Sequence, residues 1–255
     1  MRKHIIEQLR KLEATRNIKI LYAVESGSRA WGFASENSDW DIRFLYVHPI
    51  DWYLQIGEKK DNIQLMWPNE LDLSGWDLRK ALGLFRKSNP SLMEWLQSPI
   101  IYIENEAVIS EWKELTRIYF NPKNMMYHYL NIARNTYKKY LNQEHLKLKK
   151  YFYAIRPLLA CRWIETHGTM PPVLFDKMLE TFDNKDIRAI IDELVIDKKA
   201  GNELVERSRI LLLNDFITTE IAYFDRLLKG FDVNKKQDSE DLNIFFRKIL
   251  KMKLI

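Results

Sequence analysis

YAVESGSRAWGFASENSDWDIRFLYV, residues 22–47, holds two motifs whose residue types suit a phosphate and a divalent metal. The first follows an apolar run, Ile18 to Val24, that ends at Glu25-Ser26 and turns at Gly27-Ser28 into Arg29-Ala30-Trp31, a helix start. A strand that turns through glycine into a helix leaves unpaired N–H groups and the positive end of the helix dipole facing one point, which suits an anion. In the second motif Trp40, Ile42, Phe44 and Tyr46 alternate with Asp39, Asp41 and Arg43. Strand periodicity is two, so both carboxylates face the same way, roughly 6–7 Å apart at their bases. They can converge on one or two divalent ions, and Mg²⁺ favours one or two carboxylates plus substrate phosphates. A phosphate cradle ten residues before a carboxylate pair therefore describes a site for a metal-bound nucleoside triphosphate. Taken singly, Gly-Ser is an ordinary turn and Asp-x-Asp a solvated strand face. Arg29 can reach phosphate or pair with Glu25 or Glu36, and Arg43 can balance the aspartates' charge.

Gly27-Ser28, ten residues, then Asp39-x-Asp41 resembles the signature of the DNA polymerase β nucleotidyltransferase superfamily. GSRAWGF (27–33), SDWDIRFLYV (38–47), GWDLRKAL (75–82), NPSLMEWLQSPI (89–100) and KKYFYAIRPLLACRWI (149–164) together resemble a bacterial and phage family of RNA-repair-pathway nucleotidyltransferases. The match runs from about Leu21 to about Pro172. The resemblance implies an α+β chain: a polymerase β-like catalytic domain of mixed sheet and helices over 1–105, then an all-helical domain over 106–255. It also implies that Gly27 and Ser28 contact the triphosphate, that Asp39 and Asp41 bind Mg²⁺ or Mn²⁺, and that the acceptor is an RNA end.

Two-metal transfer calls for a third carboxylate from a neighbouring strand. Ile63 to Trp67 reads as a strand, Pro68-Asn69 as a turn and residues 70–74 as an antiparallel return strand. Asp72 lies between Leu71 and Leu73 there, so it points away from the face the leucines bury. Asp77 is the rival, but Ser74 to Leu82 reads as a helix opening, where an early Asp offsets the dipole. Asp72 is therefore preferred as the third metal ligand.

Composition sets the outer bounds. At 255 residues with 46% hydrophobic and 13% aromatic content, the chain has ample material for a core. The single cysteine, Cys161, excludes an internal disulfide and points to a reducing compartment. The first seventeen residues carry scattered charges and no apolar h-region, and no run approaches the ~20 apolar residues that span a bilayer, so a cytoplasmic protein is expected. Net charge is only +5, yet residues 121–165 hold nine basic residues (Lys123, Arg134, Lys138, Lys139, Lys147, Lys149, Lys150, Arg156, Arg162) against Glu144 and Glu165. That balance describes a phosphate-facing surface or a solvated helix face. Lys149, Tyr153 and Arg156, at i, i+4 and i+7, are the preferred nucleotide or RNA contacts, with Tyr153 able to stack on a base.

Along the rest of the chain, Ile5, Ile6, Leu9 and Leu12 mark an amphipathic helix over 2–15. Beyond about residue 104 the pattern is helical, over 107–119, 122–142, 146–166, 172–181, 184–197 and 202–229, with a kink or fresh start at Arg156-Pro157. The leading expectation is a Mg²⁺-dependent enzyme that moves a nucleoside monophosphate from a triphosphate to an RNA hydroxyl. One alternative makes a protein hydroxyl the acceptor. The other is a nucleotide- or RNA-binding module without catalysis, against which the presence of all three carboxylates argues.

Overall fold

The computed structural model of the chain describes residues 1–67, 71–180, 182–202, 205–230 and 238–252. In chain order its elements begin α1 (Arg2–Arg16), β1 (Lys19–Glu25), α2 (Gly27–Trp31), β2 (Trp40–Val47), α3 (Ile50–Tyr53), β3 (Asn62–Trp67) and β4 (Leu71–Asp77). They continue with α4 (Leu78–Phe85), α5 (Pro90–Trp95), β5 (Ile101–Glu104), α6 (Glu106–Tyr119) and α7 (Pro122–Thr136), the last running into a π-helical turn, Tyr137–Leu141. Then come β6 (His145–Lys147), α8 (Lys149–His167), α9 (Phe175–Leu179), α10 (Lys185–Lys199), β7 (Glu206–Ser208), α11 (Leu211–Lys229) and α12 (Glu240–Lys251). Two compact units result: Met1–Ala30 with Asp39–Phe120 and Lys235–Ile255, and Trp31–Ser38 with Asn121–Asn234.

The first unit is built on a five-stranded mixed sheet of order β3-β4-β2-β1-β5. β2 and β4 are parallel; the other neighbours are antiparallel. Ile5, Leu9 and Leu12 of α1 fall on one stripe and bury against Ile20, Ile42, Phe44, Tyr46, Leu71 and Leu73 on one sheet face. Asp41 and Arg43 have the opposite parity to Ile42 and Phe44, so they occupy the other face. The register sets Asp41 directly beside Asp72.

β4 is longer than the return strand expected over 70–74. Gly75 and Trp76, expected to open a helix, remain in the ladder opposite Phe44 and Leu45. The reason is non-local: a Cβ on Gly75 would lie 2.1 Å from the Phe44 ring, so the missing side chain makes room for that ring. The helix starts at Leu78, and Asp77 is its N-cap, accepting from the Arg79 N–H at 2.9 Å and from the Tyr53 hydroxyl at 2.6 Å. The turn expected at Pro68-Asn69 lies outside the described residues. The short segment after Pro49 is the one-turn α3.

α6 and α12 also belong to the first unit. α12 presents Leu242, Phe245 and Ile249 as a buried stripe, with Phe245 against Trp112 of α6 at 5.5 Å and Phe246 against Tyr53 at 5.2 Å. In the second unit α8 runs through Pro157 as one helix and buries Phe152, Ile155, Leu158, Leu159 and Ile164. The expectation of an all-helical region is corrected in one place. β6 and β7 form a two-stranded antiparallel ribbon, and the helix expected from 202 begins at Leu211. A three-residue ladder whose partners lie sixty positions apart leaves no periodicity to read. Leu204, within that expected helix, lies outside the described residues. Among the described residues no helix is long and apolar enough to cross a membrane.

Candidate active site

The parallel register of β2 and β4 projects Asp41 and Asp72 from the same sheet face, and Arg43 lies between them. One guanidinium nitrogen donates to Asp41 Oδ1 at 2.7 Å and to Asp72 Oδ2 at 2.9 Å; the other donates to the Asp72 carbonyl at 3.2 Å. The remaining oxygen of Asp72, Oδ1, is buried and has no hydrogen-bond partner among the described residues. Burial pushes the Asp41 carboxyl above its usual range; Arg43 opposes that shift, and the charges of Asp72 and Asp39 add to it. Two carboxylates, an orphaned oxygen and a seated positive group together suit a divalent cation.

The backbone around Asp41 is fixed from two sides. Its N–H donates to Glu25 Oε1 at 2.8 Å, and its carbonyl accepts from the Ser26 N–H at 2.8 Å. Glu25 is fully buried, and its second oxygen accepts from the Tyr102 hydroxyl at 2.5 Å. Burial raises the Glu25 carboxyl above its ordinary value, and these two donors pull it back. Sequence reasoning missed this positioning role. The available signal was a carboxylate closing an apolar strand just before a glycine turn. Gly27 takes the left-handed conformation, φ 58°, and its α-carbon faces Asp41 so closely that a Cβ would lie 2.1 Å from Oδ2. Ser28 and Arg29 follow in α2, which is only five residues long and so supplies less helix dipole than the sequence suggested. Arg29 donates Nε to the Asp39 carbonyl at 3.2 Å and stacks over Trp40 at 3.8 Å.

Asp39 is exposed, one residue ahead of β2. Among the described residues no three acidic, histidine or cysteine side chains converge as a ready ligand set. The structure thus joins Asp41 to Asp72 and leaves Asp39 close by. Asp77 is 1% exposed, engaged by Tyr53 and α4, and on the opposite strand parity from Asp72.

Lys149, Tyr153 and Arg156 lie on α8 in the second unit, but they are not alike. Lys149 is half-buried and Tyr153 is 42% exposed, whereas Arg156 is 3% exposed, donates to the Val173 carbonyl and lies over the Trp31 ring at 4.5 Å. Other cations of the basic segment are also used internally: Arg134 pairs with Asp225, and Arg162 with Glu220 and Glu165. Lys138, Lys139, Lys147, Lys149 and Lys150 make no ion pair among the described residues. Lys139 and Lys150 flank the Tyr140 ring at 5.1 and 3.8 Å, and a hydrogen bond from Lys139, helped by the two ammonium charges, holds the Tyr140 hydroxyl below its ordinary pKa.

If Arg43 occupies the place of a cation, its removal has a defined signature. In metal-free protein Arg43→Met is expected to cost about 1–3 kcal/mol, because two half-buried carboxylates lose their shared donor. Added Mn²⁺ should then raise the calorimetric midpoint more in the variant than in the parent. Equal Mn²⁺ shifts in both proteins would refute a shared place.

Residues 1–248 match the RNA repair pathway DNA polymerase beta family. The chain is 43% identical over 244 residues to the uncharacterized protein YcgL of Bacillus subtilis (strain 168), covering 95% of this chain and 94% of that one. A crystal structure of a nucleotidyltransferase-like protein from Exiguobacterium sibiricum 255-15 aligns with 89% of this chain and 75% of its own, at 12% identity and a TM-score of 0.33. With a match that spans residues 1–248, the chain belongs to the RNA repair pathway DNA polymerase beta family.

Proposed function

We propose that the protein transfers a nucleoside monophosphate from a nucleoside triphosphate to a hydroxyl at an RNA end, with Mg²⁺ or Mn²⁺. The observation that carries this reading is the Asp41–Asp72 pair set beside the left-handed Gly27 turn. Asp39, Asp41 and Asp72 would hold the divalent cations, whose chemistry is to neutralise charge on the entering and leaving oxygens of an in-line displacement. The acceptor oxygen bonds to the α-phosphorus, the bond to the β-phosphate bridge breaks, and pyrophosphate leaves. Asp72 takes the acceptor's proton. Gly27 and Ser28 offer backbone to the triphosphate, Glu25 holds the Asp41 main chain, and Arg29 orders Asp39. Lys149 and Tyr153, with Lys150 and the half-buried Tyr140, combine cations and aromatic rings as single-stranded RNA requires.

The test is to incubate the protein with each labelled triphosphate and Mg²⁺ or Mn²⁺, with and without RNA bearing a free 3′ hydroxyl. Metal-dependent label on the RNA is expected. Label on protein alone would replace RNA by a protein acceptor, and bound nucleotide without transfer under either metal would leave a binding module.

A further inference from the structure

A cavity of about 560 Å³ opens at the far end of β2 from Asp41, between the last residue of α1 and the edge strand β3. Tyr46 lines it, five positions beyond Asp41 and so roughly 17 Å along the strand. Its odd spacing from Asp41 also puts it on the opposite sheet face. The cavity is therefore separate from the carboxylate site.

Four observations give it a chemical character. Tyr46 is fully buried, and its hydroxyl has no hydrogen-bond partner among the described residues. A buried phenol without a partner is costly, and such groups mark places where something outside the chain completes the bond. Arg16 and Lys60 line the cavity and make no ion pair among the described residues, while the adjacent Asp61 is taken by Lys80 at 2.8 Å. The rings of His48 and Trp52 stack at 3.9 Å and 10°, and both are half-exposed. Burial and the charge of Lys59 lower the His48 pKa to about 4, so at neutral pH the stack is an uncharged aromatic surface. Finally, exposed Asn62 and Gln64 bring two amides, each with a donor and an acceptor, to the rim.

We propose that this cavity binds one purine nucleoside phosphate, its base on the His48–Trp52 stack and its phosphate on Arg16 and Lys60. A bare anion would leave the stack and the amides idle, and an apolar ligand would leave two cations and a phenol unmatched. Asn and Gln amides suit the adjacent acceptor and donor of adenine, so the adenine nucleotide is the first choice. The ligand's chemistry is the same whether it is a free nucleotide or one nucleotide of a strand. The site is independent of the proposed transfer reaction.

Calorimetric titration in EDTA tests it, with AMP, a hexa-adenylate, adenosine and inorganic phosphate as probes. AMP is expected to bind, and to bind at least about fivefold more weakly to Trp52→Ala, Arg16→Gln and Tyr46→Phe, with thermal midpoints close to the parent's. Hexa-adenylate binding well above AMP identifies a strand; equal binding identifies a free nucleotide. No binding of either probe, phosphate binding as tightly as AMP, or unchanged affinity in the three cavity variants would each overturn the proposal.

Discussion

Asp41→Asn is expected to leave a folded protein at least as stable as the parent without metal, and to lower nucleotidyl transfer by about 1000-fold or more. The two halves of that result have one source. Asp41 is partly withdrawn from water beside Asp72 and near Asp39, so ionising it costs folding free energy, and its carboxyl sits above the ordinary range mainly through burial. A carboxyl raised on folding contributes stability that is present below its unfolded pKa and is lost as pH rises through the folded value. At neutral pH the parent protein therefore carries a penalty that Asn does not. Asn also keeps an oxygen for Arg43 and leaves the main-chain bonds to Glu25 and Ser26 untouched. Transfer, by contrast, loses a full negative charge where divalent cations and phosphate must meet. A 1000-fold loss is about 4 kcal/mol of transition-state stabilisation, ordinary for one group in a metal-assisted displacement. The check pairs metal-free calorimetry with the labelled-triphosphate assay. A variant with near-parent transfer would remove Asp41 from the chemistry. One that unfolds would make it a structural residue.

Trading stability for a charged cluster also explains which parts of the site could be read from the chain alone. The facing of Asp41 and Arg43 was legible because strand alternation is local: Ile42 and Phe44 declare the buried face, and the polar residues between them take the other, whereas Asp39 falls one residue ahead of the strand. Asp72 was legible for the same reason, through Leu71 and Leu73. The role of Glu25 was not, because its partners are the Asp41 N–H, sixteen residues on, and Tyr102, seventy-seven residues on. Gly75 misled because glycine beside serine and ahead of aspartate resembles a helix start. Only the Phe44 ring above it says strand. α12 lies beyond the helices read from the sequence; Leu242, Phe245 and Ile249 stand at helical spacing, but an amphipathic pattern does not name the surface it meets, here Trp112. Arg156 was misjudged as a surface contact since i, i+7 spacing on α8 cannot foretell that Trp31 and Val173 enclose it.

Gly27→Ala separates packing from chemistry more sharply than any carboxylate substitution. At φ 58° an alanine costs about 1–2 kcal/mol, a few degrees of thermal midpoint for a chain of this size. The new Cβ also meets Asp41 Oδ2 at 2.1 Å. That atom is the end of a side chain and can swing away, so the fold survives the clash. The swing takes the carboxylate out of its bonded position against Arg43 and away from Asp72. The Asp41 main chain stays in place, since Glu25 and Ser26 hold it. The expected outcome is a folded variant, a few degrees less stable, with transfer reduced by about 100-fold or more, as misplacement of a reacting group by an ångström commonly does. Mn²⁺ should also stabilise it less than it stabilises the parent, because the displaced carboxylate is then a poorer ligand. Kinetics across triphosphate concentration and calorimetry with and without Mn²⁺ read both effects. Parent-like transfer in a variant with the lowered midpoint would mean that the Gly27 turn serves only the fold. Parent-like Mn²⁺ stabilisation with lost transfer would instead put the turn against the triphosphate alone and leave Asp41 free to bind metal wherever its side chain comes to rest.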